Sequence, residues 1–562
     1  MKVLVTEAIG ERGLAILSES GEVDVRLGLN GPALCEAIAD YHVLVVRSGT
    51  QVTADVIACA ANLKIIGRCG VGVDNIDVEA ATRRGILVVN SPSGNTLAAA
   101  EHTISLMFAL ARHIPEAAAS MRAGNWDRKS FVGTELHDKT LGVVGFGKIG
   151  IEVARRALGL DMNVLAYDPQ INAQRARNLG VEVCEQLDEL LARSDFVTFH
   201  LPLNRHTKGL LNAERIERLK PTARVINCAR GGIIDETALA AALRRGRLAG
   251  AAIDVWEHEP PFGSHPVSPL LTDCPRLLPT PHLGASTTEA QENVAIDVAQ
   301  QVQVAWRGEP VQGAVNLPQL EAEEHRRLKP YLDLGEQLGR FLAQLSKGDR
   351  ILRIEITYLG RLQHEPTAPL ARAVLRGLLD TYIDDRAINY VNVPSVVDEQ
   401  GIVVDEVRSS ETTTYAAVLR VRLTTSLFSH VAEGACFGDD PRVIALDGYS
   451  FNIVPYGHLL VWWNEDHPGV IGKVGTLLGD AKVNIAGMQL GRDAFGGKAV
   501  SIVSIDGAAD DTLLAKVKTI PGMVDVRRVD FGNGGAVAPP VPPVPVETTI
   551  EVEAPSETPP EG

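Results

Sequence analysis

Three short segments hold the residue types that redox chemistry on a small acid would need. They are Asn227-Cys228-Ala229-Arg230-Gly231-Gly232, Asp254-Val255-Trp256-Glu257-His258-Glu259-Pro260 and Pro281-His282-Leu283-Gly284-Ala285-Ser286-Thr287. The first two follow apolar runs that read as strands, and the third precedes a helical pattern. In an open α/β sheet, ligands bind beyond the carboxyl ends of the strands, so the three segments can converge there. Oxidising a hydroxy acid requires a base for the hydroxyl proton, a cation for the carboxylate and an acceptor for the hydride. Histidine suits the first task, because its ordinary pKa lies near neutrality and a neighbouring carboxylate steadies the imidazolium. Arginine suits the second through its bidentate fork. Each residue also has a plainer reading: Arg230 as a surface ion-pair partner, Glu259 as a turn residue before proline, His282 as a capping or core histidine. The residue types alone leave both readings open.

The hydride acceptor has its own signal. Lys139–Gly150 reads KTLGVVGFGKIG, an apolar run leading into Gly145-x-Gly147-x-x-Gly150, with a helical pattern over Glu152–Leu158. Gly145 permits a tight turn, Gly147 lets the backbone approach a pyrophosphate, and Gly150 allows close helix–sheet packing. The helix N-terminus supplies free N–H groups for phosphates. A second strand, Val164–Tyr167, ends in Asp168, eighteen residues past Gly150. A carboxylate there accepts hydrogen bonds from ribose hydroxyls and disfavours a 2′-phosphate, which points to NAD rather than NADP. The competing reading of Asp168-Pro169 is a simple turn.

These motifs need a scaffold. Val43–Val46, Lys64–Gly67, Ile86–Asn90, Leu141–Gly145, Val164–Tyr167, Phe196–His200, Val225–Cys228 and Ala251–Val255 are short apolar runs, as expected for strands covered by helices on both faces. Helical patterns such as Ala98–His113 and Glu236–Arg245 alternate with them, predicting a doubly wound α/β architecture. The glycine loop lies well inside the chain and about 100 residues precede the nucleotide-binding unit, so another domain must come first and be completed by the chain's return after residue 280. Beyond Asn316-Leu317-Pro318 the pattern changes to an α+β insert up to residue 455. Leu459–Trp463, Val470–Asp480, Ile485–Leu490, Ala499–Ile505, Thr512–Thr519 and Val524–Val529 then give the β-α-β-β-α-β order of a ferredoxin-like domain. The last thirty residues hold eight prolines and five glutamates, with no lysine, arginine or aromatic after Phe531, and read as a disordered tail.

Composition narrows the class. A chain of 562 residues with formal net charge −16 does not suit nucleic acid or an anionic membrane, although a local basic pocket can still hold an anion. No run of about 18 apolar residues exists, and the N-terminus lacks the apolar core of a signal peptide. Seven cysteines are scattered without a CxxC pair, so neither a disulfide framework nor a structural metal site is expected. A reducing cytoplasm is the expected location.

NCARGGIIDE, DVWEHEP and PHLGAST, together with RSGTQVT (47–53), GRCGVGVDNID (67–77) and NSPSGNTLAAAEHT (90–103), resemble the D-isomer-specific 2-hydroxyacid dehydrogenases. The match is closest to the long-form branch acting on 3-phosphoglycerate in serine synthesis, and it extends over roughly residues 1–531. The resemblance implies a Rossmann-type NAD domain (98–277) inserted in a flavodoxin-like substrate domain (1–97 and 278–315). An intervening domain (316–455), an ACT domain (456–531) and the tail (532–562) would follow. It implies that His282 is the acid/base, Glu259 its partner and Arg230 the carboxylate clamp. NAD would meet Val71, Gly145, Gly147, Lys148, Ile149, Gly150, Asp168, Leu201, Pro202, Cys228, Ala229, Asp254, Gly284 and Ala285. Asp254 would hold the nicotinamide carboxamide. Arg47, Arg68, Asn95, Arg122 and Arg128 would meet 3-phosphoglycerate, and Asn464, Asp466 and Asn484 an L-serine effector at an ACT–ACT edge. A homodimer or homotetramer is expected. Tyr456 departs from the acidic residue that often precedes the Gly-His start of such a domain. The rivals are a glyoxylate or hydroxypyruvate reductase or a D-lactate dehydrogenase, which usually lack the two C-terminal domains, and a non-catalytic NAD-sensing protein or corepressor. The intact Arg230, Glu259 and His282 set argues against the last.

Overall fold

The short apolar runs become fully buried parallel strands, because helices cover both faces of each sheet. The computed structural model describes residues 1–263, 266–346, 348–383, 386–411 and 414–532. The chain forms two compact units, Met1–Ala322 and the remainder from Glu323. The proline-rich tail lies outside the described residues but for Gly532.

The first unit opens with β1 (Lys2–Val5), α1 (Glu11–Glu19), β2 (Glu22–Val25), α2 (Gly31–Ile38), β3 (Val43–Val46), α3 (Ala54–Cys59), β4 (Ile65–Arg68), α4 (Val78–Arg83) and β5 (Leu87–Asn90). Their parallel sheet runs β2-β1-β3-β4-β5. Next come α5 (Thr96–Arg112), α6 (Ile114–Arg122), β6 (Thr140–Val144), α7 (Lys148–Leu158), β7 (Asn163–Tyr167), α8 (Ala173–Asn178), β8 (Glu182–Val183), α9 (Leu187–Arg193) and β9 (Phe196–Phe199). Then follow α10 (Ala213–Arg218), β10 (Arg224–Asn227), α11 (Glu236–Arg244), β11 (Gly250–Ile253) and β12 (Leu277–Pro279). The second sheet runs β12-β11-β10-β9-β6-β7-β8, so strand order reverses at β6 and a crevice opens there. β12 still belongs to this sheet, which puts the return to the first domain after Pro279 rather than at residue 278. α12 (Thr288–Trp306) makes that return, burying Val294, Val298 and Val302 against Val3, Val5 and Val43.

One expectation is corrected. The structure brings Cys35 of α2 and Cys59 of α3 within disulfide reach, with Cα atoms 5.4 Å apart. The two helices pack side by side, a proximity that a separation of 24 residues with no motif does not announce. The other five cysteines are free.

The second unit holds α13 (Ala322–Leu345), β13 (Ile351–Gly360), α14 (Thr367–Tyr382), α15 (Val393–Gln400), β14 (Val403–Ser409), β15 (Ala417–Thr425), β16 (Ser429–Phe437), β17 (Asp440–Leu446) and β18 (Tyr449–Ile453). Their six-stranded sheet, β14-β13-β15-β16-β17-β18, is antiparallel except for the β13–β14 pair. After it come β19 (His458–Glu465), α16 (Val470–Asp480), β20 (Ile485–Arg492), β21 (Lys498–Ile505), α17 (Asp511–Lys518) and β22 (Met523–Asp530). The order β20-β21-β19-β22 is the ferredoxin-like arrangement expected from the element sequence; β20 is an edge strand, against which β18 packs, with the Gln489 side chain bonded to the Asn452 backbone at both N–H and carbonyl. Among the described residues, no helix is long and apolar enough to cross a membrane.

Candidate active site

The carboxyl ends of β6, β10, β11 and β12 deliver the motif residues to one cleft. Its centre is a cavity of about 240 Å³ lined by Val71, Asn95, Ile149, Leu201, Pro202, Cys228, Ala229, Arg230, His282, Gly284 and Ala285, with Ala99 and His200 beside them. Each of the first eleven is a residue whose type or motif pointed here.

The base is built on a wrapped loop. Glu259 Oε1 accepts from the Trp256 N–H at 3.1 Å, and Oε2 stands 2.7 Å from His282 Nδ1. With Nδ1–H donating to the carboxylate, Nε2 is left as the lone-pair nitrogen for a substrate hydroxyl. His282 itself has φ 56, the left-handed region that a non-glycine residue occupies only when its surroundings hold it there. Asp254, fully buried, supplies that hold. Its carbonyl accepts from His282 N at 2.8 Å, Oδ1 from Leu283 N at 2.8 Å, and Oδ2 from Gly284 N at 3.0 Å. Thr280 Oγ1 donates to Oδ1 at 2.6 Å, and His102 Nε2 stands 3.1 Å from the same oxygen. Burial pushes the Asp254 carboxyl upward, but these donors outweigh it and hold the pKa at about 2. Thr287 then caps α12 through the Ala290 N–H, fixing the far end of the loop.

Of the expected cations, Arg230 lines the cavity, while Arg47 and Arg68 stand outside its lining at the ends of β3 and β4. Arg230 follows β10, where Asn227 Nδ2 donates to its carbonyl at 3.0 Å. Its Nε bonds Asp74 Oδ2 at 3.0 Å and its Nη1 donates to the Ala229 carbonyl at 2.7 Å. Arg68, at the end of β4, lies near enough that burial and then the charge of Arg230 lower its pKa. The Arg68 Nε finds no hydrogen-bond partner among the described residues, and neither does Asn95 Oδ1, so both are placed to meet a polar ligand. Arg47 is anchored beside them by Glu7, which accepts from its backbone N–H at 2.8 Å. Arg122, at the end of α6, and Arg128, in the loop after it, are exposed and do not line the cavity.

The glycine loop fits a dinucleotide. Gly145 has φ 95, and a Cβ on Gly150 would collide with the Gly145 carbonyl; a Cβ on Gly147 would meet nothing within 4 Å, leaving its surface open to a phosphate. α7 begins at once behind Gly147 with no side-chain cap on its first-turn N–H groups. Asp168 accepts from the Phe146 N–H at 2.9 Å and the Gln170 N–H at 2.8 Å, which fixes the carboxylate at the end of β7 beside the loop. Lys148 Nζ donates to Ser93 Oγ at 2.6 Å, a contact between the loop and the first domain.

Several contributors carry no sequence signal. His102, Thr280 and Asp74 act through partners 152, 26 and 156 residues away. His200, held neutral by burial with a pKa of about 3, ends the run Phe196–His200 and so reads as a strand residue. Burial also pushes the Cys228 thiol up to about 12, keeping it protonated beside the cofactor cleft.

The effector trio is not assembled within one chain. Asn464 is buried, its Nδ2 donating to the Glu465 carbonyl. Asp466 pairs with Arg492 at 3.1 Å, and Asn484 Nδ2 donates to Asp506 at 2.6 Å. Arg492 and Asn484 stand at opposite ends of the eight-residue strand β20, so Asp466 and Asn484 are separated by roughly 20 Å at about 3.3 Å per residue.

Comparison with known proteins agrees with this geometry. Residues 104–284 match the model of the D-isomer specific 2-hydroxyacid dehydrogenase NAD binding domain. Residues 327–447 match the D-3-phosphoglycerate dehydrogenase intervening domain, and 458–522 the ACT domain. The D-3-phosphoglycerate dehydrogenase of Synechocystis sp. is 44% identical over 530 residues, 94% of each chain. That of Methanocaldococcus jannaschii is 44% identical over 531 residues, 94% of this chain and all of its own. The Bacillus subtilis enzyme of the same name is 40% identical, covering 94% and 99%. Among solved structures, D-lactate dehydrogenase from Aquifex aeolicus, complexed with NAD and lactic acid, superposes with TM-score 0.50 at 26% identity, over 55% of this chain and 96% of its own.

Proposed function

The chain belongs to the D-3-phosphoglycerate dehydrogenases of the D-isomer-specific 2-hydroxyacid dehydrogenase family, and from that premise we propose how its residues perform the reaction. The enzyme oxidises D-3-phosphoglycerate to 3-phosphohydroxypyruvate with NAD, the first step of L-serine synthesis. The observation that carries the reading is the His282–Glu259 contact of 2.7 Å in the same cleft as Arg230 and the glycine loop. Arg230 grips the substrate carboxylate through its Nη pair, its Nε being held by Asp74. His282 Nε2 removes the C2 hydroxyl proton, and Glu259 stabilises the imidazolium that results. Arg47 and Arg68 offer positive charge to the phosphate, and Asn95 Oδ1 accepts from a substrate or carboxamide donor. NAD, when bound along Gly145–Gly150 with its ribose at Asp168, supplies the hydride acceptor at C2. Asp254, fully buried with both carboxylate oxygens already bonded, acts through the loop that carries His282 rather than on the carboxamide.

Three finer points belong to the same proposal. Antiparallel pairing of the edge strand β20 with a second copy, which would have to displace the β18 contact at Gln489, would bring Asn484 of one chain towards Asp466 of the partner subunit, building an L-serine site neither chain has alone. Ile114, Met121, Trp126 and Val132 are large exposed apolar residues over α6 and the following segment, which supports a second copy on the first unit as well. Five free cysteines support a cytoplasmic location, with Cys35–Cys59 as the counter-observation. The test of substrate is a panel following NADH formation with 3-phosphoglycerate, glycerate, lactate and malate. Turnover of 3-phosphoglycerate far above the others is expected, and preference for lactate or glycerate would overturn the assignment.

A further inference from the structure

The outer face of the four-stranded sheet holds an aromatic cavity that the reaction does not use. Trp462 and Leu460 of β19 face α16 and α17, so alternation turns Trp463 the other way. Asp525 pairs across from Trp463, Arg527 from Val461, and Lys498 from Glu465, which places their side chains on that same outer face. Opposite stand Phe428 and His430, at the start of β16. The His430 and Trp463 rings lie 5.5 Å apart at 35°, and the Phe428 and His430 rings 5.9 Å apart at 21°. His430 Nδ1 is tied to Asp447 at 2.8 Å, so this ring wall is held in place.

These residues enclose about 250 Å³. A dry apolar cavity of about 150 Å³ accommodates benzene, so a ring with a short acidic chain has room here. Asp525 is paired twice, with Lys518 at 2.9 Å and Arg527 at 2.8 Å. Lys498 is exposed and makes no ion pair among the described residues. Arg527 and Lys518 both answer Asp525, so among the described charged residues lining the cavity Lys498 is the one without an ion pair. A neutral ring would leave Lys498 unanswered, and a simple inorganic anion would leave the ring wall bare.

The geometry points to a second ligand site here, for a small aromatic carboxylate whose ring packs against Phe428, His430 and Trp463 and whose acid group meets Lys498. The site is separate from the catalytic cleft; of the expected effector set it shares Asn464, which lines it, but neither Asp466 nor Asn484. The ligand would bridge the ACT sheet and the intervening domain, and it would alter activity only by binding one arrangement of them better than another.

The probe is 3-phenylpropanoate, which has no 2-hydroxy or 2-oxo group to react in the catalytic cleft. Calorimetric titration of the full chain should show saturable binding of one equivalent per chain. Lys498→Glu should weaken it at least tenfold and Lys498→Gln severalfold, two exposed substitutions that leave the core untouched. The uncharged 3-phenylpropan-1-ol should bind at least tenfold more weakly than the acid. No saturable heat at millimolar probe, undiminished affinity in Lys498→Glu, or equal affinity for the alcohol would each overturn the assignment.

Discussion

Replacing Asp254 with asparagine removes one negative charge from the middle of the catalytic loop, and the structure sets the size of the effect. The native carboxylate accepts from Thr280 and Leu283 at Oδ1 and from Gly284 at Oδ2, with His102 Nε2 standing 3.1 Å from Oδ1. An amide can present its oxygen at only one of those positions. Oriented one way, its NH₂ confronts the Gly284 N–H; oriented the other, it confronts Thr280, Leu283 and His102. At least one buried donor is stranded, a cost of about 1–3 kcal/mol. The titration argument gives the same scale. A folded pKa of about 2 against an ordinary value of 3.8 is a gap of about 1.8 units, worth about 2 kcal/mol at neutral pH. Because the folded pKa is depressed, this stabilisation is present above pH 3.8 and is lost as pH falls through about 2. Urea unfolding of the first unit should therefore show Asp254→Asn less stable by about 2 kcal/mol between pH 5 and 8. The gap from wild type should narrow as the pH drops below 4. Since the same carboxylate holds the left-handed backbone at His282, kcat should fall about 10²-fold, the cost of misplacing a reacting group by about 1 Å. A variant with unchanged unfolding and near-native kcat would refute the role given to Asp254.

Further outcomes follow from the other parts of the site. His282→Ala should lower kcat by roughly 10²–10⁴-fold with little change in NAD affinity, measured by steady-state kinetics beside a cofactor titration. Arg230→Lys should be severely impaired, because an ammonium cannot reproduce the fork; full activity would show that a point charge suffices. Asp168→Ala should relax the preference for NAD over NADP, and a wild-type enzyme already using both would contradict the role of Asp168. L-serine should bind the full chain by calorimetry and lose that binding in Asn484→Ala, whereas no heat at millimolar serine would leave the ACT edge as a contact surface alone.

Much of the site was legible because it rests on local patterns. Gly145, Gly147, Gly150 and Asp168 are read from spacing along one strand–turn–helix–strand unit, and Arg230, Glu259 and His282 from strand-end motifs. What escaped depends on distance through space. His102 sits inside a long helix with nothing to mark it, and it acquires a role only when Asp254 arrives from 152 residues away. The Cys35–Cys59 and Asp74–Arg230 pairs have the same character, each made by two elements packing side by side or across the cleft. Arg122 and Arg128 look like Arg47 and Arg68 in composition, but the end of α6 and the loop after it carry them exposed to solvent. Asn464, Asp466 and Asn484 were grouped by motif, but the fold sets Asn484 just before β20 and pairs Asp466 with Arg492 at that strand's far end.

The central claim is hydride abstraction from C2 of D-3-phosphoglycerate by a cleft in which His282 is the base, and isotope transfer tests it most directly. Substrate carrying deuterium at C2 should, in a single turnover, deliver one deuterium to the reduced nicotinamide, with the rate falling at least 10²-fold in His282→Ala while NAD still binds. Reduced cofactor without deuterium, or transfer at the wild-type rate in His282→Ala, would contradict the account.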